Sequence, residues 1–345
     1  MGKMFPASAK PMVYRNPSFD LLKVVAMVYV IFGWHLDDYA HDILATTIGR
    51  TLAIGALGVF VFVSGFTLTN SAGEVTSFSD VRRFINKRLI RIYPLYFSSL
   101  VLFFITSEIS GKQFYSGLFL LNTILNIQIK TLWFVTMIFL FYMLLPLIVY
   151  RFSVVRILVI TSIFLLVCII LNITLDLMDI RLAYYFPLFI LGVFCARSET
   201  VFQLLKGWFV VIVSISALAL VTYLFGVIKD PWFKHLYVPA CLIFSLPPLI
   251  ALAEKFTVHV NAKLIRKLSY VSFGMYLYHR FVFWVLLHIY KPETDLKLVA
   301  YLFLTGFPLL YLLSFQIQSG YDSLLEKLHL MPENNRSSTQ GGTNG

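Results

Sequence analysis

The stretch KVVAMVYVIFGWHLDDY, residues 23–39, is apolar for most of its length, but it begins with a lysine and ends with a histidine and two carboxylates. Together with the residues before it, the run approaches the roughly 20 residues with which a helix spans a bilayer. Ionisable side chains inside such a helix are costly and are therefore candidates for function. The stretch predicts a membrane-spanning helix with a histidine, His35, near one end that is a candidate for function.

Composition extends this prediction to the whole chain, because 59% of the 345 residues are hydrophobic and only 13% are charged. Soluble domains are about a quarter charged. We predict an all-α polytopic membrane protein with about ten transmembrane helices. The apolar runs are 18–39, 48–70, 89–109, 131–150, 154–175, 182–197, 207–227, 235–253, 269–290 and 298–318. The net charge of +11 then reflects membrane topology, and no nucleic-acid partner is expected.

Basic residues decide whether the short stretch 114–128, which contains Asn122 and Asn126, crosses the membrane. If it does not cross, 18 Lys and Arg side chains lie inside and eight outside; if it crosses, the split is 14 to 12. The positive-inside bias favours the first arrangement, with a re-entrant or interfacial 114–128 and both termini cytoplasmic. The predicted organisation is therefore a cytoplasmic segment 1–17, one transmembrane domain 18–320 and a polar, disordered cytoplasmic tail 321–345.

The histidine of the opening stretch has useful chemistry. A neutral imidazole can remove a proton from a hydroxyl, and it can also accept an acyl group. Asp38 follows His35 by three residues on the same helix face and can fix its tautomer. The alternative is that His35, Asp37 and Asp38 lie solvated and idle at a wet helix end, and the residues alone leave both interpretations open.

Two further motifs precede the middle of the chain. In GALGVFVFVSGFTL (55–68), small residues including Ser64 and Gly65 favour close helix packing. In VRRFINKRLIRIYPLYF (81–97), five cations fall within ten residues and can bind anionic lipid headgroups or the phosphates of a nucleotide-bearing donor. Those cations are Arg82, Arg83, Lys87, Arg88 and Arg91. Positive-inside anchoring explains part of this cluster.

Aromatic and ionisable residues mark two later spans. Trp133, in KTLWFVTMIFLFYMLLPLI (130–148), lies near the outer interface, where Trp commonly serves as a membrane anchor. In LSYVSFGMYLYHRFVFW (268–284), His279 and Arg280 lie near the middle of a span and require a polar cavity. Tyr276 can supply a hydrogen bond there. A structural His–Tyr network and a substrate contact are equally compatible with this pattern.

In order, the fragments FDLLKVVAMVYVIFGWH, FVFVSGF, RLIRIYPLY, LWFV…FYMLLP, FPLFILGVF and SFGMYLYHR resemble acyltransferase family 3. This family comprises integral-membrane O-acyltransferases of surface glycans and related acceptors. The resemblance covers about 18–318. It implies a ten-helix core in the plasma (inner) membrane, cytoplasmic acyl-CoA (acetyl-CoA above all) as co-substrate without a metal, and a glycan or lipid-linked sugar as acceptor at the outer face.

The resemblance also assigns residues by motif. His35 matches the essential histidine of the first span, and Lys23 matches the basic residue before it. Ser64 and Gly65 match the Ser-Gly of the second span, and the pair of arginines before Tyr-Pro corresponds to Arg88 and Arg91. These matches imply donor phosphates on the basic cluster, with Arg82, Arg83 and Lys87 contributing, and His35 as the catalytic residue oriented by Asp38. Trp133, Tyr276, His279 and Arg280 are expected to support the site.

The spacing in the first span departs from the family. The family has ten residues between the basic residue and the histidine, which places the two within about 20° on a regular helix. Here eleven residues separate Lys23 from His35, and a regular helix would place them about 120° apart. A one-residue π-bulge would restore the register, and Gly33 is a suitable place for it. A second, milder departure is Val61, where the family often has Phe.

Two other function classes compete with the acyltransferase. A secondary transporter or flippase would suit ten helices with ionisable groups at mid-membrane, although the two halves of the sequence show no convincing repeat. A lipid-binding structural protein would need no catalytic histidine. The feature that favours the enzyme is an inner arginine cluster opposite an outer cluster of histidine and carboxylates.

Overall fold

The computed structural model describes residues 16–40, 46–73, 75–228 and 230–330, and within these ranges the protein has helices and no strand. The helices are α1 Pro17–Tyr29, α2 Thr47–Ala72, α3 Phe78–Ile105, α4 Gly111–Leu118, α5 Leu132–Val149, α6 Val154–Leu175, α7 Arg181–Arg197, α8 Glu199–Lys206, α9 Trp208–Val227, α10 Phe233–Thr257, α11 Ala262–Ile289, α12 Asp295–Leu304 and α13 Gly306–Lys327. The predicted all-α class is confirmed.

The predicted number of about ten spans also agrees with the described helices. Eight helical stretches are long and apolar enough to cross a membrane, and α7 with α8, joined at a bend of 118°, makes a ninth. Helix α11 has 28 residues, or about 42 Å at 1.5 Å per residue, which is enough to cross. It is less apolar than the others because it carries several tyrosines together with His279 and Arg280.

The two ends of the helix bundle differ in chemistry. One end carries Arg82, Arg83, Lys87, Arg88 and Arg91 at the start of α3, and we call it the arginine end. The opposite end carries His35 and His279, and we call it the histidine end. The first described helix begins and the last one ends at the arginine end, since Ser269 of α11 donates to Asp20 of α1 and Tyr321 of α13 donates to the carbonyl of Ile90 in α3.

The segment between α3 and α5 leaves and returns at the histidine end. The carboxylate of Glu108, just after α3, lies 3.9 Å from a guanidinium nitrogen of Arg280, and Thr131, just before α5, accepts a hydrogen bond from the same guanidinium at 2.7 Å. Between them, α4 is only eight residues long. The stretch 114–128 therefore does not cross, as predicted.

Small residues bring α2 and α7 into backbone contact near the centre of the bundle. A Cβ added to Gly65 would lie 2.2 Å from the carbonyl oxygen of Phe189, and one added to Gly192 would lie 2.3 Å from the carbonyl oxygen of Phe62. No side chain fits at either position. The packing interpretation of the small residues in α2 therefore holds for Gly65.

The predicted terminal segments are only partly within the described residues. Residues 1–15 and 331–345 lie outside them, so most of the predicted cytoplasmic segment 1–17 and of the tail 321–345 is not described. Helix α13 continues to Lys327, beyond the predicted domain end at 320. Its last turns are held by side chains, because Tyr270 donates to Asp322 and Tyr321 bonds to α3.

Candidate active site

The first span changes its winding before it reaches the histidine. Helix α1 continues as a π-helix over Val30–Trp34 and then as a 3₁₀ turn over His35–Asp38. Gly33 lies within the π-helix, and a Cβ there would sit 3.0 Å from the Tyr29 ring. A π-turn contains about one residue more than an α-turn, so the extra residue between Lys23 and His35 is absorbed. The π-bulge predicted from the spacing is confirmed.

His35 is hydrogen-bonded to a second histidine that is 244 residues away in the chain. Its Nδ1 lies 2.8 Å from Nε2 of His279, and the two ring planes are nearly parallel, at 7°, with centroids 4.8 Å apart. The other nitrogen of His279, Nδ1, lies 2.7 Å from the carbonyl oxygen of Tyr276. His279 is fully buried, whereas His35 is half-buried.

These two hydrogen bonds assign the protons of the neutral pair. A carbonyl oxygen can only accept, so Nδ1 of His279 carries a proton, and its Nε2 is left with a lone pair. Nε2 of His279 then accepts from Nδ1–H of His35. The remaining nitrogen of His35, Nε2, makes no hydrogen bond to any residue that the structure describes, so its lone pair is open there. The chain thus presents His35 as a base in one defined tautomer, which is the state that proton abstraction requires.

Asp38 does not take the orienting position predicted for it. Its carboxylate accepts a hydrogen bond from Nη2 of Arg280, and the hydrogen-bond partner of Nδ1 of His35 is Nε2 of His279 instead. The winding does not account for this difference, because the 3₁₀ turn over His35–Asp38 keeps the two residues on one side. Residues three apart lie nearly in line on a 3₁₀ turn, but here Asp38 is drawn to the buried cation on α11.

Arg280 is the centre of a polar cluster beside the histidine pair. Only 3% of the residue is exposed, and it contacts two carboxylates, Asp38 and, at 3.9 Å, Glu108. Its Nε donates to Oγ1 of Thr131 at 2.7 Å. A buried cation is tolerated when paired and hydrogen-bonded in this way. The predicted polar environment for His279 and Arg280 is therefore present.

Thr131 holds an unusual backbone conformation at this point. Its φ is +62°, which is a genuine outlier for a β-branched residue. Its side chain accepts from Arg280, and its carbonyl oxygen accepts from the phenol of Tyr276 at 2.8 Å. The cost of this conformation is offset by those two contacts. Thr131 thereby connects the start of α5 to the turn of α11 that carries His279.

Glu108, Thr131 and Tyr39 are site residues that the sequence did not single out. Tyr39 packs edge-on against Phe283, and its phenol oxygen is buried without a hydrogen bond inside the described residues. For Glu108 a signal existed, because it is a carboxylate directly after a membrane span. Thr131 and Tyr39 carry no such signal, since their roles depend on contacts with α11.

At the arginine end, the five cations divide by burial. Arg88 is half-buried against the Phe84 ring and donates to the Ser71 hydroxyl of α2 at 2.8 Å. Ser64, also on α2, accepts from Tyr142 of α5 at 3.0 Å. The other four cations, Arg82, Arg83, Lys87 and Arg91, are exposed. Arg88 is thus the member of the predicted donor set that reaches between the helices.

Lys23 lies nearer the arginine end than His35 does. Its ammonium pairs with Asp20 at 3.0 Å, and Asp20 accepts from Ser269 at 2.7 Å. Ser269 belongs to α11, the helix that carries His279. Lys23 is therefore linked through Asp20 to the same helix that orients His35. The point of contact on that helix, Ser269, lies ten residues, or about 15 Å, from His279 towards the arginine end.

Trp133 faces into the bundle and not simply into lipid. Its ring lies edge-on to Phe134 and Tyr185, with centroids 5.7 and 6.1 Å away. The guanidinium of Arg181 covers the ring at 3.7 Å. The interfacial anchoring expected for Trp133 stays a prediction, and the contacts that the structure shows for its ring are with protein.

The two ends of the site are separated by about one helix length. Arg88 precedes the end of α3 at Ile105 by 17 residues, or about 25 Å. The histidine pair lies close to that end, because Arg280 contacts Glu108 just beyond α3. An extended molecule bound at Arg88 would have to run along most of the bundle to reach His35.

The described residues form a polytopic helical bundle with a histidine pair at one end and a cluster of cations at the other. The acyltransferase domain model of acyltransferase family 3 matches residues 16–317, and the chain belongs to this family. The family resemblance noted from the sequence is confirmed. No curated protein and no solved structure matches the chain significantly.

Proposed function

We propose that this membrane acyltransferase transfers an acyl group, acetyl above all, from cytoplasmic acyl-CoA to a hydroxyl of a glycan or lipid-linked sugar at the outer face of the plasma membrane. Family membership identifies the protein as an acyltransferase and argues against the transporter alternative. The donor, the acceptor and the orientation are the proposal. In this orientation the arginine end is cytoplasmic, in agreement with the positive-inside rule.

The observation that carries the proposal is the hydrogen bond between the two histidines, which leaves Nε2 of His35 without a partner among the described residues. The Tyr276 carbonyl orients His279, and His279 fixes the tautomer of His35. Hydroxyl groups are poor nucleophiles until a base removes the proton, so a fixed imidazole lone pair supplies what acyl transfer to an alcohol requires.

The proposed step balances without a further reactant. Nε2 of His35 takes the proton of the acceptor hydroxyl while the hydroxyl oxygen attacks the thioester carbonyl. The tetrahedral intermediate then loses the thiolate of CoA as the C–S bond breaks, and the thiolate takes the proton back from His35. Asp38 and Glu108 balance the charge of Arg280 next to the pair. An alternative first step, acyl transfer to His35 itself, would leave label on the protein.

The donor site is supported by the arginine end. Phosphates form strong charge-assisted hydrogen bonds with guanidinium groups. Arg88 is held by Ser71 between α2 and α3, and the exposed Arg91 lies one turn further along the same helix. Arg82, Arg83 and Lys87 add positive potential, which attracts an anionic donor before it docks. The acyl-bearing arm would extend from there towards His35.

The test is transfer of radiolabel from acetyl-CoA to a membrane glycolipid extract by purified protein in lipid discs. We expect transfer by the wild type and a loss of about 10²- to 10⁴-fold in His35→Ala, the range for removing a general base. His288→Ala is the matched control, because His288 is exposed on the same helix end of α11 and should leave transfer unchanged. Full transfer by a folded His35→Ala protein would overturn the proposal.

A further inference from the structure

A second polar cluster lies at the histidine end, outside the histidine pair. The guanidinium of Arg181 lies over the ring of Trp133 at 3.7 Å. Its Nε lies 2.9 Å from both carboxylate oxygens of Asp179, and its Nη2 donates to Gln128. We call Gln128, Trp133, Asp179 and Arg181 the loop cluster. The guanidinium plane is fixed from its face and along two of its edges.

The loops that carry this cluster are themselves held together. The backbone N–H of Met178 donates to the carbonyl of Ile124 at 2.7 Å, and that of Asp179 donates to the carbonyl of Thr123 at 2.8 Å. Burial alone would raise the pKa of the Asp179 carboxyl, but the hydrogen bonds and charge of Arg181 outweigh it and hold that pKa below its usual range. The carboxylate is thus ionised at neutral pH, and the arrangement is rigid.

Two hydrogen-bond donors of the cluster remain open. Nη1 of Arg181 and the indole N–H of Trp133 make no hydrogen bond within the part of the chain that the structure describes, and neither atom is enclosed. The Arg181 side chain is 26% exposed. Because the cation is stacked on the indole, these two donors are close neighbours in fixed positions. Oxygen atoms of a ligand are the partners that such donors select.

Aromatic contacts connect the loop cluster to the base. Trp133 adjoins Phe134, the Phe134 ring lies 5.8 Å from that of Tyr276, and the Tyr276 ring lies 6.3 Å from that of His35. Thr131, two residues before Trp133, accepts from the Tyr276 phenol. An acceptor held at the cluster would therefore lie a few side chains from the nitrogen that removes its proton.

This combination differs from what membrane anchoring requires. An interfacial Trp is stabilised by its position at the headgroup level and needs no ordered cation on its ring. Here the cation is aligned by a carboxylate of which only 3% is exposed. Aromatic walls with a few fixed polar groups are typical of sites for small polar molecules. Sites built to hydrogen-bond a hydroxylated substrate discriminate strongly against molecules that lack the partner group.

We propose that Trp133 and Arg181 form the acceptor subsite, where the indole N–H and Nη1 donate to ring or hydroxyl oxygens of a sugar, and that Gln128 and Asp179 keep Arg181 in place. The subsite rests on the proposed function for its occupant. It makes Trp133 a residue for acceptor recognition, and Gln128 and Asp179 positioning residues.

The test measures binding of the acceptor in His35→Ala protein, which separates binding from turnover. The probes are lipid-linked glucose, galactose, rhamnose and N-acetylglucosamine. A long-chain alcohol without sugar is the reference lipid. Trp133→Phe keeps the aromatic ring and removes only the N–H. We expect it to weaken binding of the preferred sugar probe about tenfold, the worth of one hydrogen bond, and to leave the alcohol unaffected. Trp208→Phe, a change at an exposed Trp at the start of α9, is the matched control.

Steady-state kinetics with protein that retains His35 complete the test. Trp133→Phe should raise KM for the sugar probe about tenfold while KM for acetyl-CoA is unchanged, and Gln128→Ala should raise the acceptor KM by a smaller factor. Equal sugar binding by wild type and Trp133→Phe, or no binding of any sugar probe, overturns the subsite. If His35→Ala still abolishes transfer in that case, the proposed function stands alone. Sugar binding that depends on Trp133, without any transfer from acyl-CoA, would contradict the proposed donor and support the acceptor subsite.

Discussion

The arginine end and the histidine end of this bundle are built in opposite ways. The five cations of the arginine end come from ten consecutive residues of α3, and four of them are exposed. The polar groups of the histidine end come from four separate segments around His35, Glu108, Thr131 and His279. The arginine end is therefore formed by one local stretch of sequence, whereas the histidine end is assembled only when the chain folds.

This difference has consequences for how each end responds to change. Exposed cations act through a shared potential, are screened by salt and can replace one another in part. Buried polar groups have fixed partners, and removing one leaves the others unsatisfied. We therefore expect graded effects at the arginine end and abrupt effects at the histidine end.

The largest effect after His35 itself is expected at His279. His279→Ala removes the acceptor that holds Nδ1–H of His35, so the imidazole can adopt the other tautomer and rotate. We expect kcat to fall about 100-fold with little change in the donor KM. His279→Gln keeps a side-chain oxygen that can accept from Nδ1–H, and it should recover a part of this loss.

The readout for His279 separates positioning from packing. kcat measured from pH 5 to 9 should reach its plateau at a different pH in His279→Ala, because His35 loses the partner that influences its protonation. A variant of equal thermal stability with an unchanged kcat and pH profile would show that the hydrogen bond of 2.8 Å has no role in catalysis.

Gly65 tests the region between the two ends. Gly65→Ala places a Cβ 2.2 Å from the carbonyl oxygen of Phe189, so α2 and α7 must move apart. We expect a loss of about 1–3 kcal/mol in the free energy of unfolding, as overpacking typically costs, visible as a lower Tm in lipid discs. Gly320→Ala is the control, since a Cβ there meets nothing within 4 Å, and it should be neutral or slightly stabilising. Equal Tm values for the two variants would contradict the close crossing.

Much of the fold could be predicted from the sequence because membrane spans are local. Apolar runs and the distribution of Lys and Arg gave the ten spans and the non-crossing stretch 114–128. The π-bulge could be predicted for a related reason. It follows from counting eleven residues between Lys23 and His35, and Gly33 lies within the π-helix that absorbs the extra residue.

The site was predictable in its residues but not in its pairings. His35, His279 and Arg280 stand out as ionisable groups within apolar runs. Nothing in the sequence says that His279 bonds to His35 or that Arg280 draws Asp38 away, because those contacts join α11 to α1 across 240 residues or more. Which side chains become hydrogen-bond partners depends on which groups the packed helices bring within reach. The sequence pattern of a single helix does not contain that information.

At the arginine end, Arg88 should have the largest single effect. It is the half-buried member and is held by Ser71, so it can contact the donor in a fixed geometry. We expect Arg88→Ala to raise KM for acetyl-CoA about tenfold with kcat nearly unchanged. Arg83→Ala should change it less than about twofold, since Arg83 is exposed and lies 3.9 Å from the half-buried Asp80. An equal effect of the two variants would mean that only total charge matters.

The last prediction concerns salt, and it addresses the contrast between the two ends directly. The Debye length falls from about 10 Å at 0.1 M to about 3 Å at 1 M, so potential from Arg82, Lys87 and Arg91 should no longer reach an approaching donor. We expect KM for acetyl-CoA to rise a few-fold between these concentrations and the acceptor KM to stay constant, because Arg181 holds its place through contacts of 2.9 Å with a buried carboxylate. Arg91→Ala should flatten the salt dependence of the donor KM. A donor KM that is independent of salt while the acceptor KM rises would place the donor at the histidine end and reverse the assignment of the two ends.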